Sequence, residues 1–231
     1  MSPARTSRPA CASEPRLAED LILWSTAEFG FLELPDRWST GSSLMPQKRN
    51  PDLLELVRGR AARPVAALLG LLLVLKGLPL SYNRDLQEDK SHLFPAVASV
   101  EASLEALAGM LGEVSFNRER MAEAASDPVL LATDLAERLV HEGVPFRRAH
   151  ELVGWLVSRA EGEGRGLELV LRESWRDIGF ADDPTGLLDP RTSLAAREQP
   201  GAPGPGAQRA ALRRAAAQLR RGHAWVRRQS G

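Results

Sequence analysis

Apolar side chains recur every three or four positions along three stretches in the first half of the chain, and this spacing predicts three helices. The predicted helices cover about residues 17–31, 51–77 and 85–111. The second half of the middle helix is apolar on all sides, which is typical of a helix buried all round. Pro64 is expected to kink or interrupt that helix. Long helices joined by short breaks indicate an all-α, long-helix bundle.

The pattern changes on either side of these helices. From residue 32 to 50 no helical period is visible and turn-forming residues accumulate, which predicts a long loop. Beyond Asn117 the predicted helices are shorter, covering 118–125, 133–142, 146–162 and 208–221, with an irregular connection at 179–206. The expected organisation is a disordered leader at 1–16, a partial central bundle at 17–114 that contains the loop 39–50, and a small helical C-terminal domain at 115–231.

Charge and composition narrow the classes of function. The 30 lysines and arginines balance 30 aspartates and glutamates, so no overall field favours nucleic acid or a membrane as partner. Cys11 is the only cysteine, which excludes an internal disulfide and a cysteine-based metal site. The apolar run 65–75 is too short to span a membrane, and the leader lacks the apolar core of a signal peptide. These features favour a soluble, cytoplasmic protein.

The chain ends in a basic segment, because no acidic residue follows Glu198. A basic helix could touch nucleic acid. A solvated helix is the commoner structure, however, and is the favoured interpretation.

The loop that precedes the second predicted helix combines flexibility with positive charge. Gly41 frees the backbone, and the small hydroxyl side chains of Ser42 and Ser43 could approach a ligand closely. Lys48 and Arg49 supply cations that suit a carboxylate. These residues together predict a loop that handles an anion.

The same loop leads into a helix start. Asn50 fits an N-cap, and Pro51 fits the first helical position, where its missing N–H costs nothing. The positive end of the helix would then face the loop, so the expected ligand is negatively charged.

At these positions the sequence resembles the fumarase/aspartase superfamily. Residues 41–51 read Gly-Ser-Ser-Leu-Met-Pro-Gln-Lys-Arg-Asn-Pro and match the signature loop of that superfamily at every fixed position. Within it the chain is most similar to argininosuccinate lyases, which the segments 17–21, 33–37 and 82–90 also follow. An Asn-Asp segment and a Thr-His segment from the upstream part of such enzymes have no counterpart in this sequence. The resemblance therefore covers only the C-terminal half of the family.

The resemblance implies a β-elimination that converts argininosuccinate into arginine and fumarate. By match to the family loop, Ser42 is the base and Glu55 orients Lys48. Lys48 could stabilise the deprotonated form of Ser42. Ser43 and Asn50 are the substrate-binding positions of the loop. Read without the resemblance, the Gly-Ser-Ser stretch could be an ordinary flexible linker and Glu55 a solvated helix charge. The general acid is not identified.

A second block matches residues that bind substrate in argininosuccinate lyases: Tyr82, Gln87 and Lys90, with Lys90 near a carboxylate. Gln87 and Lys90 are three positions apart and so are expected to share a helix face. Without the resemblance, this block is a charged helix start with no assigned function.

The resemblance also implies a homotetramer whose active sites each take residues from three subunits. It implies no cofactor. No metal is expected either, because the four histidines lack any two-ligand spacing. Without the upstream helices, the apolar faces of 51–75 and 85–111 would lose part of their partners. We therefore expect the isolated chain to be inactive and to need a complementing N-terminal half.

Two other interpretations stay open at the level of sequence. The chain could be a non-catalytic relic or an assembly protein that keeps the bundle helices. It could also be another lyase of the superfamily, such as adenylosuccinate lyase or fumarase, although the block at residues 87–90 argues against this.

Overall fold

A computed structural model describes residues 10–41, 43–45 and 48–229 of the chain. The chain forms two compact units, Met1–Met121 and Ala122–Gly231. The predicted division after residue 114 falls inside the first unit. The predicted all-α class is confirmed, since the only strands among the described residues are two residues long each.

The first unit contains the loop that the sequence singled out, between its first two helices. Helix α1 is followed by a strand β1, a 3-10 turn and a hairpin of strands β2 and β3, and helices α2, α3 and α4 come next. Strand β4 pairs antiparallel with β1, and β2 pairs antiparallel with β3. The bounds are α1 Ala10–Ser25, β1 Leu32–Glu33, β2 Thr40–Gly41, β3 Arg49–Asn50, α2 Asp52–Arg60, α3 Ala62–Leu75, α4 Asp89–Leu111, β4 Ser115–Phe116 and α5 Arg118–Ala125.

Two sequence-based boundaries in this unit are wrong. Helix α1 begins at Ala10, so residues 10–16 of the predicted disordered leader are helical, and residues 1–9 lie outside the described part. Buried Ala18 and Leu21 pack α1 into the core, and this packing outweighs a leader composition that is poor in apolar spacing. The middle helix breaks at Ala61 and not at Pro64. Pro64 lies in the first turn of α3, where its missing N–H breaks no intrahelical hydrogen bond.

The core of the first unit joins α1, α2 and α4. It contains Ala18, Leu21, Leu32, Leu54, Val57, Leu107 and Met110, all at most 4% exposed. Trp38 closes this core from the side. Its ring lies so close to Gly109 that a Cβ atom there would come within 3.1 Å of it, and its Nε1 donates to Glu113 Oε2 at 3.2 Å. The segment before the loop is therefore fixed to the C-terminal end of α4.

Helices α3 and α4 form a hairpin whose apolar faces are largely uncovered. No residue of α3 is buried, so the prediction that this half-helix is buried all round is wrong for the chain by itself. A groove of about 410 Å³ runs between the two helices, lined mainly by aliphatic side chains. The exposed apolar side chains include Val65, Leu68, Leu69, Leu72, Leu73, Phe94 and Val97. Apolar surface of this extent is typical of a site that binds another protein segment or a membrane.

One segment of this hairpin is also long and apolar enough to cross a membrane. Residues Arg84–Leu111 meet that criterion by length and composition. In the 18-residue stretch that is apolar enough, 28% is buried. Helices at the centre of bundles have the same composition, so the expectation of no membrane contact stays a prediction.

The second unit has its own core, built by α6, α7 and α8. Fourteen buried residues form it, among them Leu135, Leu139, Leu156, Val170 and Leu171. The further elements are 3-10 turns at Pro128–Leu131 and Thr185–Leu188. The helix bounds are α6 Ala132–His141, α7 Phe146–Glu163, α8 Leu167–Ile178, α9 Pro190–Ala196 and α10 Pro205–Gln229.

Sequence reasoning missed α8 and part of the connection that follows it. The signal for α8 was present, because Leu167, Val170, Leu171 and Ile178 fall at helical spacing and are all buried. The segment 179–206 is not irregular throughout, since it contains α9. The Asp189 carboxylate caps α9 by accepting the Thr192 N–H at 3.0 Å, which offsets the helix-breaking composition around it.

Candidate active site

A short hairpin holds the two ends of the signature loop together. Thr40 pairs with Asn50, and Gly41 pairs with Arg49, so residues 42–48 form the connection between the strands. Ser42 lies outside the described residues. Ser43 and Lys48 are both exposed. The hairpin fixes where the loop begins and ends, and Ser43 and Lys48 face solvent.

Side-chain contacts anchor the base of this hairpin. The Thr40 hydroxyl donates to the Asp52 carboxylate at the start of α2, and Arg49 pairs with Asp36 at 3.1 Å. Within the loop, the Lys48 N–H donates to the Met45 carbonyl at 3.0 Å. The sequence pattern did not reveal the Thr40–Asp52 contact, because the two residues are brought together only when the strands pair.

The predicted cap of α2 is wrong by one position. Asn50 belongs to β3 and makes no side-chain cap, while Pro51 occupies the N-cap and Asp52 is the first helical residue. Pairing with Thr40 keeps the Asn50 backbone extended, and the residue before a proline is biased towards that conformation. The acidic first turn of α2, with Asp52 and Glu55, still complements the positive end of the helix.

Glu55 and Lys48 are not paired in this structure. Among the described residues, no ion pair joins the Glu55 carboxylate to the Lys48 ammonium. Glu19 holds the pKa of the Arg58 guanidinium above its usual value through a hydrogen bond, and the nearby Glu55 charge adds to this shift. The role of Glu55 in orienting Lys48 therefore stays a prediction.

The second substrate-binding block lies in the connection between α3 and α4. Tyr82 is 91% exposed and has a φ of 50°, in the left-handed region that a bulky residue rarely adopts. Gln87 lies in the 3-10 turn Arg84–Glu88, and Lys90 lies in the first turn of α4. The Lys90 ammonium pairs with the neighbouring Asp89 carboxylate at 3.0 Å. All three predicted side chains are thus on one exposed corner of the hairpin.

Asn83 explains the unusual backbone of Tyr82. Its Nδ2 donates to the Pro79 carbonyl at 2.9 Å and closes the turn around Tyr82, while its Oδ1 is buried without a hydrogen-bond donor. A strained conformation persists only where the surroundings fix it. We take Asn83 as the residue that positions Tyr82, a role that sequence reasoning did not assign.

Substituting Asn83 with alanine is expected to release Tyr82 from the left-handed conformation. Tyr82 is the only tyrosine, so incorporation of 3-fluorotyrosine gives one ¹⁹F resonance that reports on this residue. The resonance should narrow and move towards the position seen in urea, because the turn loses its side-chain hydrogen bond. Asn117→Ala, which removes a different asparagine–backbone contact, is the control. An unchanged resonance in Asn83→Ala would contradict the assignment.

The contacts given for the two blocks lie beside each block. Thr40 and Arg49 of the hairpin contact Asp52 and Asp36, whereas Asn83 and Lys90 contact Pro79 and Asp89. Within the part of the chain that the structure describes, no group of three His, Cys, Asp or Glu side chains could hold a metal ion. His92 packs against α3, since a Cβ atom at Gly70 would lie 2.5 Å from its ring.

Comparison with solved structures defines the class of protein. The structure of EDDS lyase in complex with formate has a TM-score of 0.78 to this chain at 30% identity, and covers 94% of this chain and 45% of that one. Class II fumarase from Schistosoma mansoni gives a TM-score of 0.64 at 20% identity, covering 78% of this chain and 36% of that one. The chain has the all-α fold of the fumarase/aspartase superfamily.

Comparison of sequences narrows this class. A family described as argininosuccinate lyase C-terminal matches residues 129–195, and a family described as lyase matches residues 9–65. The argininosuccinate lyase of Anaeromyxobacter dehalogenans is 51% identical over 201 residues, which cover 86% of this chain and 43% of that protein. By sequence the chain is similar to the C-terminal part of argininosuccinate lyases, as the resemblance predicted, and it spans less than half the length of the relatives it matches.

Proposed function

We propose that this chain is the C-terminal half of an argininosuccinate lyase, a carbon–nitrogen lyase that forms arginine and fumarate. The observation that carries the proposal is the complete signature loop at 41–51, held at both ends by the β2–β3 hairpin. The 51% identity to an argininosuccinate lyase supports the choice of substrate. A chain whose only role was to pack bundle helices together would not need the residue types of this loop.

In the proposed reaction, the deprotonated oxygen of Ser42 takes a proton from the carbon next to a carboxylate of argininosuccinate and becomes a hydroxyl. The electron pair of that C–H bond forms the double bond of fumarate, and the bond between the neighbouring carbon and the guanidino nitrogen breaks. An acid outside the assigned residues protonates that nitrogen, which leaves as arginine. The exposed Lys48 ammonium is suited to stabilise the negative charge that develops on the carboxylate.

The remaining proposed residues hold the substrate. Ser43 lies in the loop and Asn50 lies in β3 at its end. Tyr82, Gln87 and Lys90 form the second group, on the α3–α4 connection. Their side chains supply hydroxyl, amide and ammonium donors, which suit an anionic substrate. No cofactor is proposed, since proton transfer and charge stabilisation account for the elimination.

Assembly completes the proposed site. The exposed apolar faces of α3 and α4 support either a homotetramer or a complex with a separate N-terminal half. Thr40 contacts Asp52 and Asn83 contacts Pro79, each beside its own residue group, which fits a site shared among subunits. We place the enzyme in the cytoplasm, with no nucleic acid or membrane partner.

Complementation tests this proposal. Fumarate formation from argininosuccinate is followed by ultraviolet absorbance, first with the chain alone and then with the separately expressed N-terminal part of the Anaeromyxobacter dehalogenans relative. We expect no activity from the chain alone and measurable activity in the mixture. Robust activity of the chain alone would contradict the need for a second half.

Two alternatives give different results in the same assay. A complex that assembles, as seen by sedimentation, but forms no fumarate would favour a non-catalytic relic or assembly protein. Elimination from adenylosuccinate, or hydration of fumarate, without activity on argininosuccinate would favour another lyase of the superfamily. The exposed hairpin of α3 and α4 also fits a non-catalytic relic or assembly protein. Only the activity assay therefore separates that interpretation from a lyase.

A further inference from the structure

The second unit separates its charges into an acidic body and a basic helix. Residues 122–198 contain nine arginines and 15 aspartates and glutamates. The segment after Glu198 contains seven arginines and no acidic residue. Opposite charges of similar size on two parts of one unit make each part a suitable partner for the other.

The basic part is the helix α10, which the body leaves almost uncovered. This helix has 25 residues, and Ala207 at its start is the only one buried among those described. The Glu198 carboxylate fixes this start by accepting the N–H groups of Gly206 and Ala207, the latter at 2.7 Å. The start of α10 is therefore held in place by these hydrogen bonds, while most of the rest of the helix is exposed.

The exposed surface of α10 is amphipathic. Leu212 and Leu219 are seven positions apart and are 71% and 64% exposed, with Ala215 and Ala216 between them on the same side. At about 100° per residue, Arg213 and Arg220 lie beside this apolar stripe. A partner for α10 must then combine an apolar groove with acidic groups at its edge.

The body of the same unit contains such a groove between α7 and α8. It has a volume of about 340 Å³, and Leu152, Trp155 and Ile178 contribute its apolar part. Trp155 is 50% exposed at this position. Two carboxylates, Glu151 and Asp177, and one guanidinium, Arg148, also line the groove. Arg148 pairs with Glu151 at 3.4 Å, and so the lining keeps an excess of one negative charge.

We infer that α10 of one copy binds the α7–α8 groove of a second copy of this chain. Leu212 and Leu219 would enter beside Trp155, and Arg213 and Arg220 would pair with Glu151 and Asp177. Every copy carries both the helix and the groove, so two copies can exchange helices and close a symmetric dimer. This contact is separate from the proposed contacts of α3 and α4 and does not depend on lyase activity.

The competing partners fit less of this surface. Nucleic acid would neutralise the arginines but leave the apolar stripe in water. An anionic membrane would take up the stripe, but it would leave the acidic groove without a partner and facing the same negative surface. A second copy would bury the apolar stripe, pair with the arginines and fill the groove.

Cross-linking between copies tests the inference. The variant Arg213→Lys/Arg220→Lys keeps both charges and introduces amines that a carbodiimide can couple to carboxylates. Isotopically heavy and light copies of the full chain are mixed and cross-linked, so that mass spectrometry distinguishes links between copies from links within one. We expect heavy–light links from positions 213 and 220 to Glu151 or Asp177. Links only within one copy, or none to these carboxylates, would overturn the inference.

Charge variants give a second measurement. Arg213→Gln/Arg220→Gln should lower the yield of zero-length links from a Gln208→Lys probe on the same helix by about tenfold, because the attraction to the groove is lost. Arg191→Gln on α9 removes an arginine outside the groove and should leave the yield unchanged. Circular dichroism verifies that α10 remains helical in each variant. Binding of α10 to DNA or to anionic vesicles, with no link between copies, would also overturn the inference.

Discussion

Replacing Ser42 with alanine is expected to lower kcat for fumarate formation in the complemented enzyme by about a thousandfold, because a positioned base contributes on the order of 10²–10⁴ to the rate. The loss should fall on kcat and not on KM, since the hydroxyl acts on the proton in the transition state. The measurement is a steady-state assay of fumarate absorbance over a range of argininosuccinate concentrations.

Ser39→Ala is the matched control for this prediction. Ser39 lies three positions upstream of Ser42, and its hydroxyl donates to the Asp36 carbonyl at 3.4 Å, so its loss should leave the rate within about twofold. Assembly of both variants with the N-terminal half is verified by sedimentation. Full activity of Ser42→Ala would show that the base is a different residue.

Gly204→Ala is expected to destabilise the second unit by about 1–3 kcal/mol, the usual cost of forcing extra volume into a packed site. A Cβ atom at this position would lie 2.2 Å from the Arg197 carbonyl oxygen and 2.7 Å from its carbon. Both are backbone atoms, and the same carbonyl accepts the Gly204 N–H at 2.9 Å, so neither can move without breaking the connection before α10. Urea unfolding followed by circular dichroism measures the change.

Gly154→Ala should change stability in the opposite direction. Gly154 lies within α7, is exposed, and has no atom within 4 Å of the place where a Cβ would stand. Alanine there should stabilise the helix by about 0.5–1 kcal/mol, because glycine loses more backbone entropy on folding. Equal effects of the two substitutions would contradict the crowding at Gly204.

Most of the fold could be predicted because helices follow from local apolar spacing. The pattern placed α4, α5 and α7 close to their observed bounds and indicated an all-α protein. It failed at the start of α1, where packing of Leu21 overrides a leader-like composition, whereas the apolar spacing of α8 is helical and does indicate that helix. Predicted boundaries were wrong where a contact between residues distant in sequence sets the end of an element. Pairing with Thr40, for example, keeps Asn50 out of the helix cap.

The site could be predicted only as a set of residues. The residue types of the loop 41–51 and their order indicate its chemistry. Ser42, Lys48 and the substrate-binding positions can therefore be identified as candidates from the sequence. The Thr40–Asp52 hydrogen bond and the Asn83 contact that positions Tyr82 were not foreseeable, since short polar side chains make many local contacts and the fold selects one.

The sequence by itself determined the helical class, the loop chemistry and the likeness to argininosuccinate lyases, because these depend on the type and spacing of neighbouring residues. Only the tertiary structure decided which faces are covered. It left α3 exposed although its sequence reads as buried, it placed the Tyr82 block on a corner of the α3–α4 hairpin, and it left α10 uncovered beyond its capped start. Burial depends on residues distant in the chain or in another chain, which local sequence does not encode.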